Sequence, residues 1–202
     1  MTARGYSTSL VALCSIATAL YAQLAGGHPY YPLSVGNTWT YVVQPDPQSK
    51  EPSIVKWKVT GISKTRSGQV VYQVWPTPMQ VDDEAMQLEM RHSGLVESDT
   101  GGIVLPSPLK PGDEWTRTDR ANRRTPIRSY RVRSAGLPCM VGSRQFADCA
   151  VVEDTDQQTR MRTVTTYAKG IGPIEYRYFS LQDEARQQAV QTVTLKSFQL
   201  VP

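Results

Sequence analysis

The chain has 202 residues, with 22 Lys and Arg against 18 Asp and Glu, a net charge of +4, a charged fraction of 20% and a hydrophobic fraction of 40%. That balance suits one domain able to bury its own core, and it excludes disordered, collagen-like and multi-span membrane classes.

The first segment reads as an address rather than as part of the fold. Arg4 supplies a positive start, Leu10 to Leu20 an apolar run, and Leu20-Tyr21-Ala22 an acceptable cleavage site, so residues 1–22 are expected to be a signal peptide. The apolar run from Leu10 to Leu24 is 15 residues, short of the ~20 that a membrane span needs. A retained anchor is one alternative. A lipoprotein modified at Cys14 is another, although Leu13 stands where such signals carry a small residue. Cleavage would fall after Ala22 or Ala25. Residues 23–202 are then one domain, carrying Cys139 and Cys149 as its cysteines.

Beyond residue 30 the dominant period is two. Trp39, Tyr41 and Val43 alternate with Thr38 and Thr40; Val55, Trp57 and Val59 with Lys56, Lys58 and Thr60; Met86, Leu88 and Met90 with Gln87, Glu89 and Arg91; Ile174, Tyr176 and Tyr178 with Glu175 and Arg177. Alternation of this kind marks half-buried strands. Turn signals such as Ser67-Gly68, Asp82-Asp83, Ser93-Gly94, Pro111-Gly112-Asp113, Gly142-Ser143 and Gln182-Asp183-Glu184 separate the runs. The predicted strands are 36–44, 53–62, 69–76, 85–92, 94–98, 114–120, 126–135, 145–154, 158–168, 172–181 and 188–200. About eleven short strands with one polar face predict an all-β fold: an antiparallel, strongly curved sheet or incompletely closed barrel.

Cys139 and Cys149 flank the turn-like Gly142-Ser143-Arg144. A hairpin centred between them sets the two cysteines directly opposite one another, within disulfide reach in an exported chain. A redox or metal pair finds no CxxC and no neighbouring histidine to support it.

Several motifs recur in a recognisable order. They are Tyr31-Pro32-Leu33 followed by Gly36-Asn37-Thr38-Trp39-Thr40-Tyr41, then Pro108-Leu109-Lys110-Pro111-Gly112-Asp113-Glu114-Trp115, then the cysteine hairpin and Gly170-Ile171-Gly172. This order resembles a group of exported bacterial β-rich proteins of unassigned function, some of them lipoproteins. More remotely it resembles the open β-barrels of lipoprotein carriers. The resemblance implies an envelope location and brings no catalytic residues.

The chemistry-bearing residues are sparse. His28 and His92 have no partner at metal-ligand spacing, Asp82-Asp83-Glu84 reads as a solvated turn, and Gly170-Ile171-Gly172 precedes a strand rather than the helix that a phosphate loop requires. No nucleophile motif is present. Neither a catalytic centre nor a cofactor is expected. Seven arginines, Arg117, Arg120, Arg123, Arg124, Arg128, Arg131 and Arg133, fall within 17 residues. A hairpin with Asn122-Arg123-Arg124 at its tip would gather them into an anion or partner patch. Nucleic acid is not the expected partner of an exported chain, and the mature chain is expected to have no transmembrane span.

Two functions follow. One is a non-catalytic periplasmic or envelope carrier whose concave face, lined by Trp39, Trp57, Trp75, Trp115, Met86, Leu88, Met90 and Tyr176, receives a lipid or other apolar ligand. The other is an accessory subunit of an envelope complex that uses the arginine hairpin as its interface. Periplasm, the periplasmic face of the outer membrane, and secretion all fit the leader.

Overall fold

Alternating side chains put one apolar face on each strand, and an antiparallel sheet buries that face by curling over it. A computed structural model of the chain shows this solution. It describes residues 27–45, 51–77, 85–118, 126–182 and 188–201. The expected leader with Cys14, Asp82-Asp83-Glu84, Arg120, Arg123 and Arg124, and Asp183-Glu184 lie outside the described residues.

The order of elements is β1 (Gly27–His28), β2 (Tyr31–Pro32), β3 (Thr38–Pro45), β4 (Ser53–Lys64), β5 (Val70–Thr77), β6 (Met86–Arg91) and β7 (Gly94–Glu97), then β8 (Ile103–Pro106), β9 (Glu114–Thr118), β10 (Pro126–Val141), β11 (Arg144–Asp156), β12 (Met161–Ala168), β13 (Gly172–Ser180) and β14 (Gln191–Gln199). Twelve strands form one antiparallel sheet in the order β8-β7-β6-β5-β4-β3-β14-β13-β12-β11-β10-β9, and β1 pairs with β2 in a separate small hairpin. No helix among the described residues is long and apolar enough to cross a membrane.

Every strand that the periodicity predicts is present. Three more were not legible: the two-residue strands β1 and β2, and β8, whose Ile103-Val104-Leu105-Pro106 is too short to show alternation. β10 runs on through Val141, past residue 135 where the predicted strand ends. Shifts in register around Ser134, Leu137 and Cys139 absorb Gly136 and Pro138 without ending the strand.

The curl brings β9 back toward β7 and β8, and side chains rather than a backbone ladder join them. Trp115 donates its indole N–H to the carbonyl of Ile103 at 2.9 Å. Arg117 grips Glu97 through both terminal nitrogens, at 2.7 and 2.5 Å. The sheet is therefore a barrel with a seam closed by two side chains.

One end of the barrel is filled. The β1–β2 hairpin and the residues after it lie across it as a floor, with Tyr31 and Leu33 buried against Trp39. His28 accepts the Tyr30 amide at Nδ1 and donates from Nε2 to the Pro106 carbonyl at 3.0 Å. Gly170 donates its amide to Pro29, and Tyr30 donates to Asp148. Asn37 donates to Pro32 and accepts the Val201 amide at 2.8 Å, which ties both ends of the described chain to the same point. His28 is thus a buried clasp. Trp39 is 1% exposed and donates to the Ile171 carbonyl at 2.6 Å. It fits because Gly172 has no side chain: a Cβ there would come within 3.0 Å of the indole nitrogen, and the backbone at Gly172 has φ +111°.

Candidate functional site

The opposite end is hollow. Direct cross-strand partners share a face, so the register lays out the inner wall in rows. The rim row is Arg117, Arg128, Asp156, Met161 and Ser180; the next is Trp115, Tyr130, Asp154, Thr163 and Tyr178; the third is Val132, Val152, Thr165 and Tyr176. The middle row sets two short side chains, Asp154 and Thr163, between two long ones, Tyr130 and Tyr178. Space is left above the short pair. A cavity of about 450 Å³ occupies it, walled by tyrosines including Tyr31 at the floor and Tyr176, and by Met86, Val104, Val152 and Met161. Trp115 stacks on Tyr130 with ring centroids 5.0 Å apart, which fixes one wall in place.

Five charged side chains line the same cavity: Glu97, Arg117, Arg128, Asp154 and Asp156. Asp156 is fully engaged. It accepts Arg128 at 2.7 Å and the amides of Gln158 and Thr159 at 2.9 and 3.0 Å. These bonds outweigh the desolvation that would raise its pKa and hold it below the usual carboxylate range. Asp154 differs. It is 8% exposed, its Oδ1 has no hydrogen-bond partner, and the Arg128 Nε lies 3.6 Å from it, too long for a hydrogen bond. Burial pushes its pKa up to about 6, with Arg128 opposing and Asp156 and Glu153 adding to the rise. Arg117 Nε is likewise buried without a partner.

The arginine cluster divides by parity. Arg117 and Arg128 point into the cavity, whereas Arg131 and Arg133 lie on the convex face, where they pair with Glu114 at 3.4 Å and Glu153 at 2.7 Å. A cluster that is continuous in sequence is thus split across the two sides of a sheet one residue thick. The expectation of a single patch overlooked that consequence of the strand period.

The residues expected to line the concave face are distributed as follows. Met86 and Tyr176 line the cavity. Trp39 and Leu88 are wholly buried in the core, and Trp57, Met90 and Trp115 pack against it. Trp75 pairs with the exposed Lys58 and alternates with the buried Val74, so it lies on the convex face. The sequence reading put Tyr178 on the apolar face of its strand but gave no site role to Asp154, Tyr130, Thr163 or Tyr178. Their common row was hidden because it depends on the offsets of four separate hairpins. Glu89, placed on the polar side by alternation, is buried instead and bridged to Arg91.

Cys139 and Cys149 are joined, with Cα atoms 5.9 Å apart. They are not directly opposite. Gly142 and Ser143 make a two-residue turn, so Cys139 pairs with Phe146 and Cys149 with Leu137. The bridge crosses a bulge that the symmetric hairpin did not include.

Fold and site together define an open antiparallel β-barrel with a closed floor and a tyrosine-walled, charged cavity. No family model matches the chain, and no curated protein sequence does. Two solved structures are similar. One, a presumed exported protein with a YmcC-like fold from Bacteroides fragilis, is 12% identical with a TM-score of 0.45, and the match covers 87% of this chain and all of that one. The other, a presumed lipoprotein from Parabacteroides distasonis, is 12% identical with a TM-score of 0.43, and the match covers 86% of this chain and 99% of that one. Likeness at this level adds nothing to the assignment of function.

Proposed function

We propose that this chain is a non-catalytic binding or carrier protein of the bacterial envelope, exported by its leader, that holds an amphiphilic ligand inside the barrel. The observation that carries the reading is the cavity above Asp154 and Thr163. Its volume of about 450 Å³ falls in the ~300–1,000 Å³ range of small-molecule sites, which combine apolar walls with a few convergent polar groups. The leader and the Cys139–Cys149 bridge support an oxidising destination outside the cytosol. The alternative, an accessory subunit using the arginine hairpin, has less behind it. Arg131 and Arg133 are already paired with Glu114 and Glu153 respectively.

The test is titration of the delipidated protein with the neutral probe N-phenylnaphthylamine, read by its fluorescence. Saturable binding that Thr163→Leu weakens at least tenfold, by filling the space between Tyr130 and Tyr178, supports the reading. Absence of saturable binding to the wild-type chain removes it.

A further inference from the structure

The charges in the cavity do not cancel. Arg117 is paired with Glu97, and Arg128 is shared between Asp156 at 2.7 Å and Asp154 at 3.6 Å, so two carboxylates divide one guanidinium and one negative charge of the five is left over. The Asp154 Oδ1 has no hydrogen bond and the residue is almost fully buried. A buried carboxylate that shares its cation and has an oxygen without a hydrogen bond is costly, and a further positive charge beside it relieves that cost. On one side of it, on the adjacent strand, is Tyr130, backed by the stacked Trp115. On the other, beyond the short Thr163, is Tyr178, itself stacked on Tyr176 with centroids 6.5 Å apart. Aromatic rings beside a carboxylate are a combination that attracts an alkylammonium ion, through the ring quadrupole and the counter-charge together. Apolar side chains suited to an attached hydrocarbon, Met86, Val104 and Met161, line the same space.

We propose that the ligand of this cavity is a cationic amphiphile, with its ammonium group held over Asp154 between the Tyr130 and Tyr178 rings and its chain against Met86, Val104 and Met161. The inference rests on the carrier reading and narrows it to one class of head group. Asp154 acts as counter-ion, and the tyrosines select the onium group by their faces rather than by their hydroxyls. Burial raises the pKa of Asp154, in keeping with a carboxylate whose shared guanidinium does not offset its desolvation.

The experiment compares dodecyltrimethylammonium, dodecyl sulfate and dodecyl maltoside, each below its micelle concentration, by calorimetry at pH 8. The expected result is at least tenfold tighter binding of the ammonium compound than of the other two. Asp154→Asn abolishes the preference for the ammonium compound. Tyr178→Phe keeps the preference because the ring remains, whereas Tyr178→Leu lowers it several-fold; this pair tests the cage without touching the carboxylate. Equal or tighter binding of the sulfate or the maltoside overturns the inference while the carrier reading stands. So does a preference that survives in both Asp154→Asn and Tyr178→Leu. If neither the dodecyl compounds nor N-phenylnaphthylamine bind, both readings fall together.

Discussion

The two ends of the barrel use the same residue types to opposite effect. At the floor, buried polar groups meet their partners: His28 bridges Tyr30 and Pro106, Asn37 holds Pro32 and Val201, and Trp39 reaches the Ile171 carbonyl. At the mouth, Asp154 and Arg117 each keep a buried polar atom without a partner. A satisfied polar network stiffens a fold, whereas an unsatisfied buried group costs about 1–3 kcal/mol. The floor therefore carries stability, and the mouth keeps hydrogen-bonding capacity unspent.

The comparison is broken most severely at Trp39. Trp39→Ala should cost ~3–5 kcal/mol in denaturant unfolding, because it empties the floor and strands the Ile171 carbonyl. A loss below 1 kcal/mol would show that the floor is not the anchor. Gly172→Ala should act in the same direction, since its new Cβ meets the same indole.

Next is the covalent link. Replacing Cys139 and Cys149 together by Ala should cost about 3 kcal/mol, the chain-entropy value for a short loop. Two alkylatable thiols in the unreduced mature protein would rule the bridge out.

The third pair of variants sharpens the contrast through pH. Asp154 titrates at about 6 in the folded chain against an ordinary 3.8, so it binds its proton more tightly when folded. It therefore weakens the fold above pH 6, and that loss is relieved as pH falls toward 4. Arg128 and Asp156 face it from the rim, Tyr130, Tyr167 and Tyr178 from the walls, and Glu153 is its chain neighbour. Asp154→Asn should raise stability at pH 8 by ~1–3 kcal/mol, with the gain gone by pH 4. His28 has the opposite sign. Burial lowers its pKa below 6.5, against the bond to Pro106, so its contribution is complete above pH 6.5 and is lost as pH falls through the folded pKa. His28→Gln should flatten that acid side, and the two profiles should cross.

The smallest effect belongs to neither end. On the convex face, Arg131→Ala removes an exposed pair with Glu114 and should change stability by under ~0.5 kcal/mol. A larger loss would mean that the outer face takes part in the fold.

Much of this was legible before any coordinates. Trp39-Thr40-Tyr41, Val55 to Val59 and Ile174 to Tyr178 announce strands because a pleated backbone sends successive side chains to opposite faces, and that rule is local. Glu89 escaped it: it lies between Val71 and Val96 of the neighbouring strands, both of them buried, on the face that alternation marks as polar. β8 escaped through shortness, and the cysteine register through a bulge that inserts residues on one strand alone.

The sequence by itself determined an all-β chain with strands in known places, a bridged cysteine pair and an arginine-rich hairpin. Only the tertiary structure decided that Tyr130, Asp154, Thr163 and Tyr178 form one row, that Arg117 and Arg128 face inward, and that the β1–β2 hairpin closes one end. Periodicity is a property of neighbours along the chain. Register and curl are set by how distant strands slide and bend against each other, and the cavity exists only at that level.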